Sequence, residues 1–172
     1  MRMIAMKVPE NYLQQAGVLN KVGEYVAPLA RRVLIVAGGH ALGVAGDALG
    51  HSLQREGIAF DVARLTGKCT LETVQNLARQ AQESGAQGVV GLGGGAVMDT
   101  AKGVGELAGQ LPVIQVPTVA ATCAAWSPFS VLYNHRGGHS GSLPLRRGFP
   151  PGSSWIVRSS PPRRCVFKSR DR

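Results

Sequence analysis

The chain has 172 residues, 44% hydrophobic and 17% charged, which suits one domain with a buried core. Its net charge of +9 is unevenly held: residues 1–135 carry ten Lys or Arg against nine Asp or Glu, and residues 136–172 carry nine against one. The basic balance thus belongs to the last 37 positions, which argues against nucleic acid as a partner of the rest, and no apolar run of about 18 residues or cleavable leader indicates a membrane or secretion, so a cytoplasmic location is expected.

Residues 11–30 read as an N-terminal lead, with Gly17-Val18-Leu19 followed by an amphipathic segment from Lys21 to Leu29 that ends near Pro28. Val33-Leu34-Ile35-Val36-Ala37 is short and continuously apolar, as in a parallel strand buried on both faces, and Gly38-Gly39 close it. One helix is expected over His40 to Glu56, with Leu42, Ala45, Leu49 and Leu53 on one face and Gly57 as its stop. A second strand follows at Ile58 to Ala63. Thr70 is a suitable N-cap for a helix carrying Val74, Leu77, Ala78 and Ala81, which Gly85 ends. The third strand, Val89 to Leu92, enters Gly93-Gly94-Gly95. A helix from Ala96 to Ala108 then presents Val97, Ala101, Val104 and Ala108 at three-to-four spacing. Leu111 to Val116 is the fourth strand, with Pro112 near its start. This alternation predicts an α/β fold with a parallel, Rossmann-like sheet covered on both faces. Such sheets place ligands at the carboxyl ends of their strands, where Gly38-Gly39, Gly93 to Ala96 and Pro117 to Thr122 should converge.

The glycine turn carries the chemistry. Without Cβ atoms, glycines let a ligand approach bare backbone N–H groups, and the following helix adds the partial positive charge of its N-terminus. An anion site results, suited to a nucleotide pyrophosphate; a glycine-rich turn with no ligand is the bland alternative. Gly91-x-Gly93-x-x-Ala96 fits the relaxed dinucleotide fingerprint, but Leu111, Pro112 and Val113 stand where its acid is expected. A phosphate loop ending in Gly-Lys-Ser/Thr also fails, because Lys102 lies inside the helix.

Gly93-Gly94-Gly95-Ala96-x-x-Asp99-x-x-Lys102, followed by Pro117-Thr118-Val119-Ala120-Ala121-Thr122, Ser127 and Tyr133, resembles the iron-containing or glycerol dehydrogenase-like alcohol dehydrogenases. The wording Thr122-Cys123-Ala124-Ala125-Trp126-Ser127 is similar to the hydroxycarboxylate dehydrogenase branch. The resemblance covers residues 3 to 135. It implies an NAD(P)-dependent oxidoreductase acting on the CH–OH group of a small 2-hydroxy acid or polyol, or reducing a 2-oxo acid. Gly94, Gly95, Ala96, Val97 and Met98 would cradle the pyrophosphate, with Asp99 accepting from loop or helix-start N–H groups. Lys102 is either the charge partner of Asp99 or a solvated helix residue. Thr118, Val119, Ala120 and Ala121 would border the adenosine side, and Ser127, Phe129 and Tyr133 the nicotinamide side. Cys123 stands where glycerol dehydrogenases carry a polyol-contacting aspartate, which disfavours glycerol. Relatives that prefer NAD place an acid after the first glycine-ended strand; here Gly38, Gly39 and His40 occupy that place with no acid until Asp47, which permits NADP.

The family also uses a divalent metal, Zn or Fe, held by an aspartate and two histidines of a later helical domain. None of His40, His51, His135 and His139 matches such a ligand, and no carboxylate lies between Glu106 and Asp171. Cys69, Cys123 and Cys165 are odd in number and widely spaced, which fits a reducing compartment and no metal motif. Residues 136–172, rich in Ser, Pro, Gly and Arg, are expected to be disordered and out of frame, the second domain to be absent, and the chain to be inactive alone. Trp126, Phe129 and Leu132 would then be partly exposed. The full-length protein is compatible with a homo-oligomer. Alternatives are a non-catalytic nucleotide-binding fragment and a dehydroquinate synthase-like lyase.

Overall fold

A computed structural model describes residues 11–119, 123–134, 136 and 138–144, together with the backbone of 154–158. Its centre is a six-stranded parallel sheet in the order β1-β8-β5-β4-β2-β3. The strands are β1 (Asn11–Gln14), β2 (Arg32–Gly38), β3 (Ala59–Leu65), β4 (Gly88–Gly93), β5 (Val113–Pro117) and β8 (Ser154–Arg158). A separate antiparallel pair joins β6 (Phe129–Tyr133) to β7 (His139–Pro144). Helices α1 (Val22–Val26), α2 (Gly39–Ala41), α3 (Asp47–Arg55), α4 (Leu71–Glu83) and α5 (Gly95–Leu107) flank the sheet.

Burial on both sheet faces explains the unbroken apolar runs of β2 and β4. Successive side chains of β2 enter two different cores: Leu34 and Val36 pack with α4 and α5 residues such as Val74, Ala78, Met98 and Ala101, whereas Val33 and Ile35 pack with Val22, Leu49 and Leu53 of α1 and α3. Thr70 caps α4 by accepting the Thr73 N–H at 3.2 Å, and Gly85, at φ 70°, lets the chain leave that helix.

Four local expectations need correction. The single helix expected over 40–56 is interrupted by a π-helical stretch, Leu42–Gly46, whose Leu-Gly-Val-Ala-Gly sequence has two glycines and little intrinsic helicity to hold tight turns. The N-terminal lead contains a strand, β1, and its helix is confined to Val22–Val26 after a 3₁₀ turn at Val18–Lys21. Pro112 lies just before β5 and contributes only its carbonyl, to the Val89 N–H at 2.9 Å. The tail was expected to be without regular structure, yet it supplies β7 and β8. Leu143 of β7 packs on the core, and the backbone of β8 pairs with both β5 and β1, so edge pairing supplies order that the tail's composition does not announce.

Close approach of α5 to β4 fixes the position of the glycine turn. A Cβ on Gly91 would lie 2.8 Å from Ala101 Cβ and 3.1 Å from Gln115 Oε1, so the helix rests on the strand where a side chain is missing. Gly91→Ala should therefore lower stability by about 1–3 kcal/mol through overpacking. Gly43→Ala, with nothing within 4 Å of its new methyl, should raise stability by about 0.5–1 kcal/mol. Urea midpoints of the two variants, shifting in opposite directions, check the pair.

Candidate functional site

The carboxyl ends of β2, β4 and β5 lie side by side, because Ala37 pairs with Leu92 and Gly93 with Pro117. Gly93 sits at φ 158°, and a Cβ there would strike the Val97 side chain at 2.8 Å. Of the three turn glycines, this one is imposed by backbone conformation and packing. Gly94 is the N-cap of α5 at φ −97°, with no side-chain capping bond, and a Cβ built on it meets nothing within 4 Å among the described residues. Its carbonyl accepts the Met98 N–H at 3.0 Å, the first bond of the helix. The N–H groups of Gly95, Ala96 and Val97 have no intrahelical acceptor and point out of the helix start, beside Gly94. The Thr118 N–H donates to the Gly93 carbonyl at 2.9 Å and holds the loop after β5 against the turn.

A cleft of about 430 Å³ opens beside this turn, lined by Gly95, Ala96 and Asp99 of α5, Cys123 and Ser127 of the following loop, and Val131 and Tyr133 of β6, with Ala124 and Lys68 completing it. Six residues singled out from the sequence, Gly95, Ala96, Asp99, Cys123, Ser127 and Tyr133, are thereby brought together. Val97 and Met98 are buried with their side chains in the core, so only their backbone faces the turn. Thr118 and Val119 are exposed beyond β5, and Phe129 is exposed at the start of β6. Ala120, Ala121 and Thr122 lie outside the described residues. Trp126 and Phe129 are exposed as expected, whereas Leu132 is buried, because alternation along β6 turns it inward with Ser130.

The sequence left open what Lys102 does. Its side chain is fully buried, and the ammonium lies 2.9 Å from Asp99 Oδ1, one helical turn back. It also donates to the main-chain carbonyls of Ala124 at 2.7 Å, Ser127 at 3.1 Å and Phe129. Asp99 was expected to accept N–H bonds from the turn; among the described residues, Oδ1 meets the ammonium and no other donor. The reason is geometric, since a helix brings residues three apart onto one face and Lys102 is long enough to reach back. Burial pulls the ammonium below the ordinary lysine value, and the Asp99 carboxylate opposes that shift. Ser130, fully buried, adds a second tie by donating to the Asp99 carbonyl at 2.7 Å. Burial likewise pushes the Cys69 thiol up, leaving it a protonated core residue, whereas Cys123 is exposed on the cleft.

Two cleft residues escaped the sequence reading. Lys68 and Val131 belong to no motif, although Lys68 follows the end of β3 and so stands at the same sheet edge as the glycine turns; its ammonium lies 5.0 Å above the Tyr133 ring.

Removing the ammonium strands Asp99 and three carbonyls at once. Lys102→Met should cost about 3–5 kcal/mol of unfolding free energy. Adding Asp99→Leu to it should recover part of that loss, as expected for coupled partners. A loss below about 1 kcal/mol for Lys102→Met in chemical denaturation would show that the loop is held by other contacts.

Comparison with known proteins agrees with this geometry. The profile of the iron-containing alcohol dehydrogenases matches residues 9–147, so the likeness continues beyond residue 135 and takes in β7. The chain is 38% identical over 133 residues to a glycerol dehydrogenase of Pseudomonas putida, covering 77% of this chain and 36% of that protein. It is also 38% identical over 131 residues to hydroxycarboxylate dehydrogenase A of Escherichia coli (strain K12), covering 75% and 35%. The crystal structure of a probable glycerol dehydrogenase from Sinorhizobium meliloti 1021 matches with a TM-score of 0.78 at 29% identity, over 89% of this chain and 40% of that one. The chain spans little more than a third of the length of these curated relatives. With the glycine turn, the Asp99–Lys102 pair and the loop they hold all inside the matched residues, the chain belongs to the iron-containing alcohol dehydrogenase family.

Proposed function

We propose that this chain supplies the dinucleotide-binding part of an NAD(P)-dependent oxidoreductase that acts on the CH–OH group of a small 2-hydroxy acid or polyol, with reduction of a 2-oxo acid in the reverse direction. The observation that carries the reading is the uncapped start of α5 beside a cleft, where no described residue comes within 4 Å of a Cβ placed on Gly94. A pyrophosphate there meets three N–H groups and the positive end of a 13-residue helix. Gly95 and Ala96 would hold the phosphates through the backbone, Thr118 and Val119 would border the adenosine side, and Ser127, Phe129 and Tyr133 the nicotinamide side. The nicotinamide would supply or accept the hydride. Cys123, exposed on the same cleft, would face the substrate, and its thiol in place of a carboxylate favours a hydroxy acid by removing a negative charge from an anionic substrate's path. The matches to glycerol and hydroxycarboxylate dehydrogenases support both substrate classes.

Metal donors do not fit the described residues. No group of three His, Cys, Asp or Glu among them could hold an ion, so no step here is assigned to a metal. No helix among them is long and apolar enough to cross a membrane.

Because a Cβ at Gly94 meets no atom of the described residues within 4 Å and φ −97° suits any residue, Gly94→Val should fold normally and obstruct only a ligand. We expect it to weaken dinucleotide binding by more than about 2 kcal/mol, the loss of one or two charge-assisted hydrogen bonds. Titration of the nucleotide's fluorescence checks this; unchanged NAD(P)H affinity would remove the turn from the site.

A further inference from the structure

The sheet order gives the glycine turn a neighbour that the linear sequence hides. In dinucleotide sheets the group that reads the adenosine ribose stands at the end of the strand beside the glycine-turn strand, an acid for a free 2′-hydroxyl or an arginine for a 2′-phosphate. Here β4 carries the turn, and its neighbours are β5 and β2. The loop after β5 is bonded to Gly93 through Thr118. The end of β2 is Gly38, followed by Gly39, and it abuts the first turn of α5, since a Cβ on Gly38 would lie 3.7 Å from Val97 Cγ2. Neither residue carries an acid.

What lies against Gly39 is a cation. A Cβ built on Gly39 would overlap the Arg64 guanidinium, lying 2.8 Å from its Nε and 2.9 Å from its Cζ. Arg64 reaches this place from β3, which pairs with β2 in the register Ala37 to Arg64 and Gly38 to Leu65. Any side chain at position 39 would displace the guanidinium, and an aspartate would both displace and neutralise it. Arg64 is exposed, and neither ion pair among the described residues includes it; Asp61, three residues earlier, is already paired with Arg32 at 3.0 Å. Planar guanidinium groups bind phosphate oxygens through two parallel N–H bonds.

We propose that Arg64, admitted by the bare backbone of Gly39, is the specificity-determining residue that binds the 2′-phosphate of NADPH, so that this chain binds the phosphorylated dinucleotide in preference to NADH. The inference rests on the dinucleotide reading above and adds to it which nucleotide is taken and by which side chain.

The test is a fluorescence titration of the 172-residue chain and two variants with NADPH and with NADH. Wild type should bind NADPH more tightly. Arg64→Gln should loosen NADPH by about tenfold or more, the loss of a charge-assisted phosphate contact, while leaving NADH within about twofold. Gly39→Asp should loosen NADPH further and not NADH, through displacement of Arg64 and repulsion. Circular dichroism melts establish that each variant is folded, and if Gly39→Asp is not, Arg64→Gln alone decides. An NADPH-to-NADH ratio unaltered by Arg64→Gln would overturn the assignment of Arg64 while leaving the dinucleotide site intact. Binding of neither nucleotide by wild type would overturn the site, and this inference with it.

Discussion

The candidate site depends on one buried charge. The Lys102 ammonium sits in the protein interior with Asp99 and three main-chain carbonyls around it, two from the segment between β5 and β6 and the third from Phe129, the first residue of β6. Within that segment Ala124 and Ala125 are buried, while Cys123 and Trp126 are exposed. An unpaired ammonium in such surroundings would be strongly unfavourable, so the charge selects the one loop conformation in which its acceptors converge. Since Lys102 projects from the same helix whose first turn is the proposed anion site, the lock sets the distance between the backbone of that turn and the cleft wall.

Packing restricts the other side of that geometry. Gly91 lets α5 lie on β4, Gly93 turns the chain over Val97, and Gly103 leaves no room for more than a hydrogen between Val74 of α4 and Ser130 of β6. Ser130 then reaches the Asp99 carbonyl. Missing side chains therefore bring helix, sheet and hairpin close enough for the polar lock to close. Among the described residues, nothing comes within 4 Å of a Cβ placed on Gly94, beside the N–H groups of the turn.

Most of the sheet was legible because strands buried on both faces leave continuous apolar runs, and because Thr70, Gly57 and Gly85 punctuate the helices as their chemistry demands. The glycine turn was legible for the same reason, through composition at a strand-to-helix junction. Less so was anything set by pairing across the sheet. Nothing in Asn11–Gln14 or Ser154–Arg158 announces two strands that lie side by side, and the tail's charge argued against order. Lys102 shows the limit most clearly. A helix sequence indicates that Asp99 and Lys102 share a face, but whether that face meets water or carbonyls is decided by residues 22 to 27 positions further on. Arg64 was missed likewise, since its relation to Gly39 arises from the β2–β3 register.

The central claim is that the start of α5 and the loop fastened to it by Lys102 form one binding surface for a dinucleotide. An amide-resolved NMR titration of the isotopically labelled chain with a reduced dinucleotide tests it most directly. The account predicts that the amide signals of Gly94, Gly95 and Ala96 and those of Ala124 to Ser127 move together along a single saturation curve. Saturable shifts confined to other parts of the sheet, or a turn whose amides stay fixed as nucleotide binds, would contradict it.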